Sequence, residues 1–122
     1  IWGKIGKTPL LGLPGNPVST AVCALVFLAP AISKLGGGTY QQQLFFATIT
    51  SDLPENDQRQ DYLRSTLAVD ADGNMAVEPA RKQDSSMIGI YAHANALIVR
   101  PPFDPPKSAG DAVMVMRLDP LL

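Results

Sequence analysis

The stretch Thr8-Pro9-Leu10-Leu11-Gly12-Leu13-Pro14-Gly15-Asn16-Pro17 constrains this chain more than any other. A short apolar run, residues 8–13, suits a buried strand. Gly15 permits a backbone conformation closed to other residues. Asn16 is a good N-cap, because its side-chain oxygen accepts from the amides of a first helical turn. Pro17 at the first helical position loses no hydrogen bond and already has a helical φ. The pattern predicts strand, turn, then a helix over residues 17–35. Val18, Val22, Leu25, Leu28 and Ile32 recur at three- and four-residue spacing and give that helix one apolar face. Pro30 falls inside it and should kink or restart it. Lys34 lies in the last turn, where the helix dipole favours a cation, and Gly36, Gly37 and Gly38 end it.

The 122 residues suffice for one modest domain, or for one small domain plus a piece of another. Apolar residues at 46% and charged residues at 17% describe a globular composition. A net charge of -1 offers no basic surplus for nucleic acid or an anionic membrane. Residues 8–34 are nearly free of charge, but the continuous apolar part, 21–32, is too short to cross a bilayer and contains Pro30. A buried amphipathic helix is the expectation. Cys23, the one cysteine, sits in this apolar run and reads as a buried, reduced thiol, which fits a cytoplasmic protein. No signal or transit segment is visible, and a start at Ile1 suggests a piece of a longer chain.

Beyond a linker at residues 36–43 the pattern changes to short strands. Residues 44–50 read as a strand, and 52–60 as a polar loop. Residues 61–69 alternate, with Leu63, Ser65, Leu67 and Val69 facing one way and Tyr62, Arg64, Thr66 and Ala68 the other. Asp72-Gly73-Asn74 signals a hairpin, with a return strand at 75–79. A polar loop at 80–86 precedes one or two turns of helix at 86–94. A strand at 95–100 stops at Pro101-Pro102, and residues 112–118 supply the last strand. The fold class is α+β: a strand–turn–helix piece followed by a small, mainly-β barrel or twisted sheet.

Chemistry has few places to reside. The turn Pro14-Gly15-Asn16-Pro17 leads into a helix N-terminus where the amides of Val18 and Ser19, with the Ser19 hydroxyl and Thr20 beside them, suit an oxyanion. The alternative is a helix that is simply well capped. His93 has no partner ligands at metal spacing and reads as structural or exposed. Asp52, Glu55, Asp57 and Asp61 form a loose acidic stretch, read as solvated loop and not as a Mg²⁺ site. No metal ligands are assigned.

The octet Gly12-Leu13-Pro14-Gly15-Asn16-Pro17-Val18-Ser19 resembles the GLPGNPVS segment of the molybdopterin molybdenumtransferases, the family of MoeA, gephyrin and the Cnx1 E domain. The order downstream is also similar to that family: Asp61-Tyr62-Leu63-Arg64, the Asp72-Gly73 hairpin, Gln83-Asp84-Ser85-Ser86-Met87, Ala94-Asn95-Ala96-Leu97-Ile98-Val99, and Ala109-Gly110-Asp111. The resemblance implies that residues 1–38 are the C-terminal end of a molybdopterin-binding α/β domain. It makes residues 39–122 a C-terminal β-barrel domain.

It also implies a reaction: adenylylated molybdopterin and molybdate yield molybdenum cofactor and AMP, with Mg²⁺ assisting in the full-length enzyme. Molybdate is a tetrahedral dianion, so its site needs hydroxyl or amide donors and a guanidinium. By the resemblance, Ser19 donates to the oxyanion, Arg64 forms a fork-like contact with molybdate oxygens, and Ser85 and Ser86 contribute further donors. From the residues alone, Arg64 is equally a surface arginine paired with Asp61 or Glu55, and Ser85 and Ser86 are N-caps. Catalytic and metal-binding carboxylates are expected upstream of this chain, so the 122 residues are expected to be inactive alone. The resemblance further implies a homodimer in which Arg64 and Ser85 act across the interface, and a molybdopterin adenylyltransferase as the upstream enzyme. A non-catalytic scaffold of the gephyrin kind and a tungstate-inserting paralogue are the competing readings.

Overall fold

The computed structural model describes residues 1–81, 83 and 93–118 and divides into two compact units, one of residues 1–41 and one beginning at Gln42. The first unit opens with an antiparallel hairpin of β1 (Trp2–Ile5) and β2 (Thr8–Leu11). Gly6, at φ 61, takes the first central position of its two-residue turn, a conformation that a side chain resists. β1 is absent from the sequence reading. The apolar run at Thr8 does form a strand, but the expectation that it is buried is wrong: every residue of β2 is exposed. A two-stranded ribbon has no second layer, so neither face can be covered from within.

A continuous helix then spans Pro17–Leu35. Asn16 caps it as predicted, accepting at Oδ1 from the amides of Val18 at 3.1 Å and Ser19 at 3.3 Å. The expected break at Pro30 is resolved by widening. Between α1 (Pro17–Cys23) and α2 (Ala29–Leu35) runs a five-residue π-helical turn, Ala24–Leu28, and the Ala29 amide donates to Ala24, five residues back. A proline has no amide to give and its ring collides with the carbonyl four residues earlier, so a wider turn just before it relieves the clash without ending the helix. At the C-terminus Gly37, at φ 78, donates to Lys34, and Gly38 donates to Ser33. This pairing closes the helix by a Schellman motif.

The burial expected of this helix is not found. Val18 is its one buried residue, while Phe27, Ile32 and Leu35 are exposed. Cys23 is half-buried, not fully buried, and free. At 19 residues, the helix is long and apolar enough by length and composition to cross a membrane. A soluble core helix passes the same test.

The second unit is a closed barrel of five strands in the order β3-β5-β4-β6-β7. The strands are β3 (Leu44–Ile49), β4 (Asp61–Val69), β5 (Met75–Pro79), β6 (Ala96–Arg100) and β7 (Ala112–Arg117). Neighbours are antiparallel except β3 and β5, which close the barrel through a short parallel contact at Thr48↔Ala76 and Ile49↔Val77. Strand alternation sends Ala47, Ile49, Val77, Ala96, Ile98, Val113 and Val115 into one core, with Phe45, Leu53, Leu63 and Leu67 against it. Full burial of each large aliphatic here is worth about 1.5–3 kcal/mol. The β4–β5 hairpin is set by Asp70, whose carboxylate accepts from the amides of Asp72 and Asn74, and by Gly73 at φ 86. The helix predicted over 86–94 falls outside the described residues, save for His93 and Ala94 at its end.

Candidate functional site

Ser19 stands in the first turn of α1, half-buried. The oxyanion site expected there from free amides is corrected. The Val18 and Ser19 amides both donate to Asn16, so these donors are already used, and the capped-helix reading describes the turn. Thr20 is used in the same way, its hydroxyl bonding the carbonyls of Pro14 and Asn16. The turn Pro14, Gly15, Asn16, Pro17 is thus a self-contained cap, and the Ser19 hydroxyl is what the site reading retains.

Arg64 lies on β4, in the other unit, and is only 2% exposed. This overturns the surface-arginine reading: a guanidinium withdrawn from water needs partners on the protein. Alternation places Arg64 on the outside of the barrel, opposite Leu97 of β6, which itself pairs with Met116 of β7. All three are buried despite facing outward. The side chain of Gln83 grips the Arg64 main chain. Its Oε1 accepts from the Arg64 amide at 2.9 Å, and its Nε2 donates to the Arg64 carbonyl at 3.0 Å and to the Ala80 carbonyl at 2.9 Å. The same Oε1 lies 3.5 Å from Arg64 Nε, the outer limit of a hydrogen bond. Ser85 and Ser86 lie outside the described residues.

Sequence reasoning gave Gln83 no role, although it lies in the quoted segment. It also missed Arg100, the barrel's second buried arginine, at 3% exposed. Arg100 Nε pairs with Asp104 at 2.6 Å, and its Nη2 donates to the carbonyls of Pro54, Asp104 and Pro105. Lys107 adds a second cation 3.6 Å from Asp104. This network ties the loop after β3 to the loop after β6 and engages the Arg100 guanidinium through Nε and Nη2.

The acidic stretch is engaged in turns. Asp52 accepts from the Ala109 amide, and Asp57 accepts from the amide and guanidinium of Arg59. The Arg59 backbone bond, then the side-chain bond, hold the Asp57 carboxyl below its ordinary value. Among the described residues no three His, Cys, Asp or Glu side chains gather as a metal site. Their donor set does not fit Mg²⁺. His93 is exposed.

Residues 47–118 match the family of the MoeA C-terminal region, domain IV. The molybdopterin molybdenumtransferase of Haemophilus influenzae is 29% identical over 99% of this chain and 30% of its own length. That of a Nostoc species is 34% identical over 88% of this chain and 25% of its length. Gephyrin of Dictyostelium discoideum is 31% identical over 93% of this chain and 17% of its length. The chain therefore spans less than a third of these curated relatives. In fold it is similar to a molybdopterin biosynthesis moeA protein from Pyrococcus horikoshii, with a TM-score of 0.77 at 20% identity, covering 98% of this chain and 28% of that one. A molybdenum cofactor biosynthesis protein from Pyrococcus furiosus gives 0.66 at 25% identity, over 84% of this chain and 36% of that one.

Proposed function

We propose, because this chain belongs to the family of the MoeA C-terminal region (domain IV), that it is the C-terminal part of an enzyme that inserts molybdate into adenylylated molybdopterin, releasing AMP. The observation that carries this reading is a buried guanidinium, Arg64, within the matched region. A planar cation held out of water attracts a dianion far more strongly than one in bulk solvent, because the dielectric is lower and no solvent shell competes. Arg64 takes the molybdate oxygens in this reading, and the Ser19 hydroxyl, with Ser85 and Ser86, supplies neutral donors. The substrates are adenylylated molybdopterin and molybdate, and Mg²⁺ acts through residues of the parent protein beyond these. Residues 1–38 complete the molybdopterin-binding α/β domain and residues 39–122 are the barrel domain. The parent is a cytoplasmic homodimer that receives its substrate from a molybdopterin adenylyltransferase, and neither nucleic acid nor membrane is a partner.

Residues 1–122 are inactive alone under this proposal. The test is AMP release from adenylylated molybdopterin, with and without molybdate, by the full-length parent and by residues 1–122. Molybdate-dependent release by the parent only is the expected result. Release by neither contradicts the enzyme and favours the scaffold. One observation supports that second reading: an apolar groove of about 460 Å³ on the outside of the barrel, where Leu44, Phe46, Tyr62, Val99 and Met114 meet solvent.

A further inference from the structure

We propose that Gln83 is the positioning residue of Arg64, fixing the guanidinium for an incoming oxyanion; this rests on Arg64 being a molybdate ligand, as proposed above. β4 has nine residues, while β5 and β6, its neighbours on either side, have five each. β4 therefore overhangs both partners. On the β5 side the ladder ends at Pro79, paired with Ser65. The next backbone group, the Ala80 amide, reaches the Arg64 carbonyl. The Arg64 amide is served by the primary amide of Gln83, which presents a donor and an acceptor just as a peptide unit does.

The opposite edge of β4 carries the same device. Asn95 Oδ1 accepts from the Leu67 amide at 2.6 Å and its Nδ2 donates to the Leu67 carbonyl at 2.9 Å. As backbone staples the two amides are equivalent. They differ in what the stapled residue carries. Leu67 points an aliphatic side chain at the core. Arg64 carries the cation, and Gln83 Oε1 receives its backbone amide and approaches its Nε as well. One oxygen thus ties both ends of the arginine stem. An arginine so held has fewer rotamers open to it before the anion arrives, and the anion need impose less ordering.

The experiment uses the full-length parent with Gln83→Ala, Gln83→Glu, Asn95→Ala and Arg64→Ala. Each variant is assayed for half-saturation by molybdate, for turnover at saturating molybdate, and for melting temperature. Gln83→Ala should raise the half-saturation concentration about tenfold with turnover changed about twofold or less. Asn95→Ala should lower the melting temperature comparably and leave molybdate half-saturation unchanged. Gln83→Glu keeps the acceptors but sets an anion beside the guanidinium, so it should impair molybdate use more than Gln83→Ala. Two results overturn the proposal: half-saturation unmoved by Gln83→Ala although Arg64→Ala raises it, or raised equally by Asn95→Ala. If Arg64→Ala itself leaves molybdate use intact, the reading of Arg64 as ligand is wrong and the role of Gln83 falls with it.

Discussion

In the barrel, Ile49, Val77, Ile98 and Val115 have no exposed surface, whereas in residues 1–41 Trp2, Ile5, Phe27, Ile32 and Leu35 are each more than half exposed. Both regions are well formed locally. The hairpin has its glycine turn and the helix has both caps, just as the barrel strands have their ladders. The difference lies in what each region does with its apolar side chains. The barrel closes on itself, so every strand has two neighbours and one face on a shared core. The ribbon and helix offer apolar faces that no described residue of their own unit covers. Correct local structure and a stabilising core are separate achievements, and most helical stability comes from the second.

The largest expected effect comes from separating the regions. Residues 42–122 expressed alone should melt in one cooperative transition, while residues 1–41 alone should show little helix by circular dichroism. A cooperative transition in residues 1–41 breaks the comparison. Next is Ile98→Ala, which should cost about 2–4 kcal/mol, against about 0.5 kcal/mol or less for Ile32→Ala on the exposed helix face. Equal losses contradict the contrast between the regions. Arg100→Ala leaves the Asp104 carboxylate with Lys107 as its remaining cation, frees three carbonyls of the loop network, and should cost about 2–3 kcal/mol in denaturant unfolding of the barrel. A loss below about 1 kcal/mol places that ion pair among ordinary surface bridges. The smallest effect concerns Asp57. Its carboxyl is held below the ordinary value by Arg59, so the contribution is present above that value and fades as pH falls through the lowered one. Asp57→Asn should lower neutral stability slightly and flatten that acid limb, leaving stability below the lowered value unchanged.

Much of the fold was legible because its determinants are local. The Asn16-Pro17 start and the triple-glycine stop bracketed the helix, and period-two alternation gave the bounds of β4 and the shared face of Leu63, Ser65, Leu67 and Val69, of which Val69, at the strand's end, is exposed. β1 escaped because Trp2-Gly3-Lys4-Ile5 is too short and mixed to show a period. The exposure of β2 and of the helix escaped because an apolar pattern states what a segment can bury, not whether a partner is there. The site was legible unevenly. Arg64 was singled out through family resemblance, while its burial, its amide staple and the Arg100–Asp104 pair depend on contacts 4 to 46 residues apart in sequence that no local pattern reports. The Ser19 turn shows the opposite error: Asn16 was rightly read as a cap, and a cap consumes the very amides assigned to an anion.

Whether Arg64 takes the molybdate oxygens is decided by molybdate-dependent AMP release by the full-length parent carrying Arg64→Ala, with folding checked by its melting transition. A folded Arg64→Ala parent should show half-saturation by molybdate raised about tenfold or more, with binding of adenylylated molybdopterin preserved. Unchanged molybdate dependence in a folded Arg64→Ala protein would contradict that role and move the oxyanion site off the barrel.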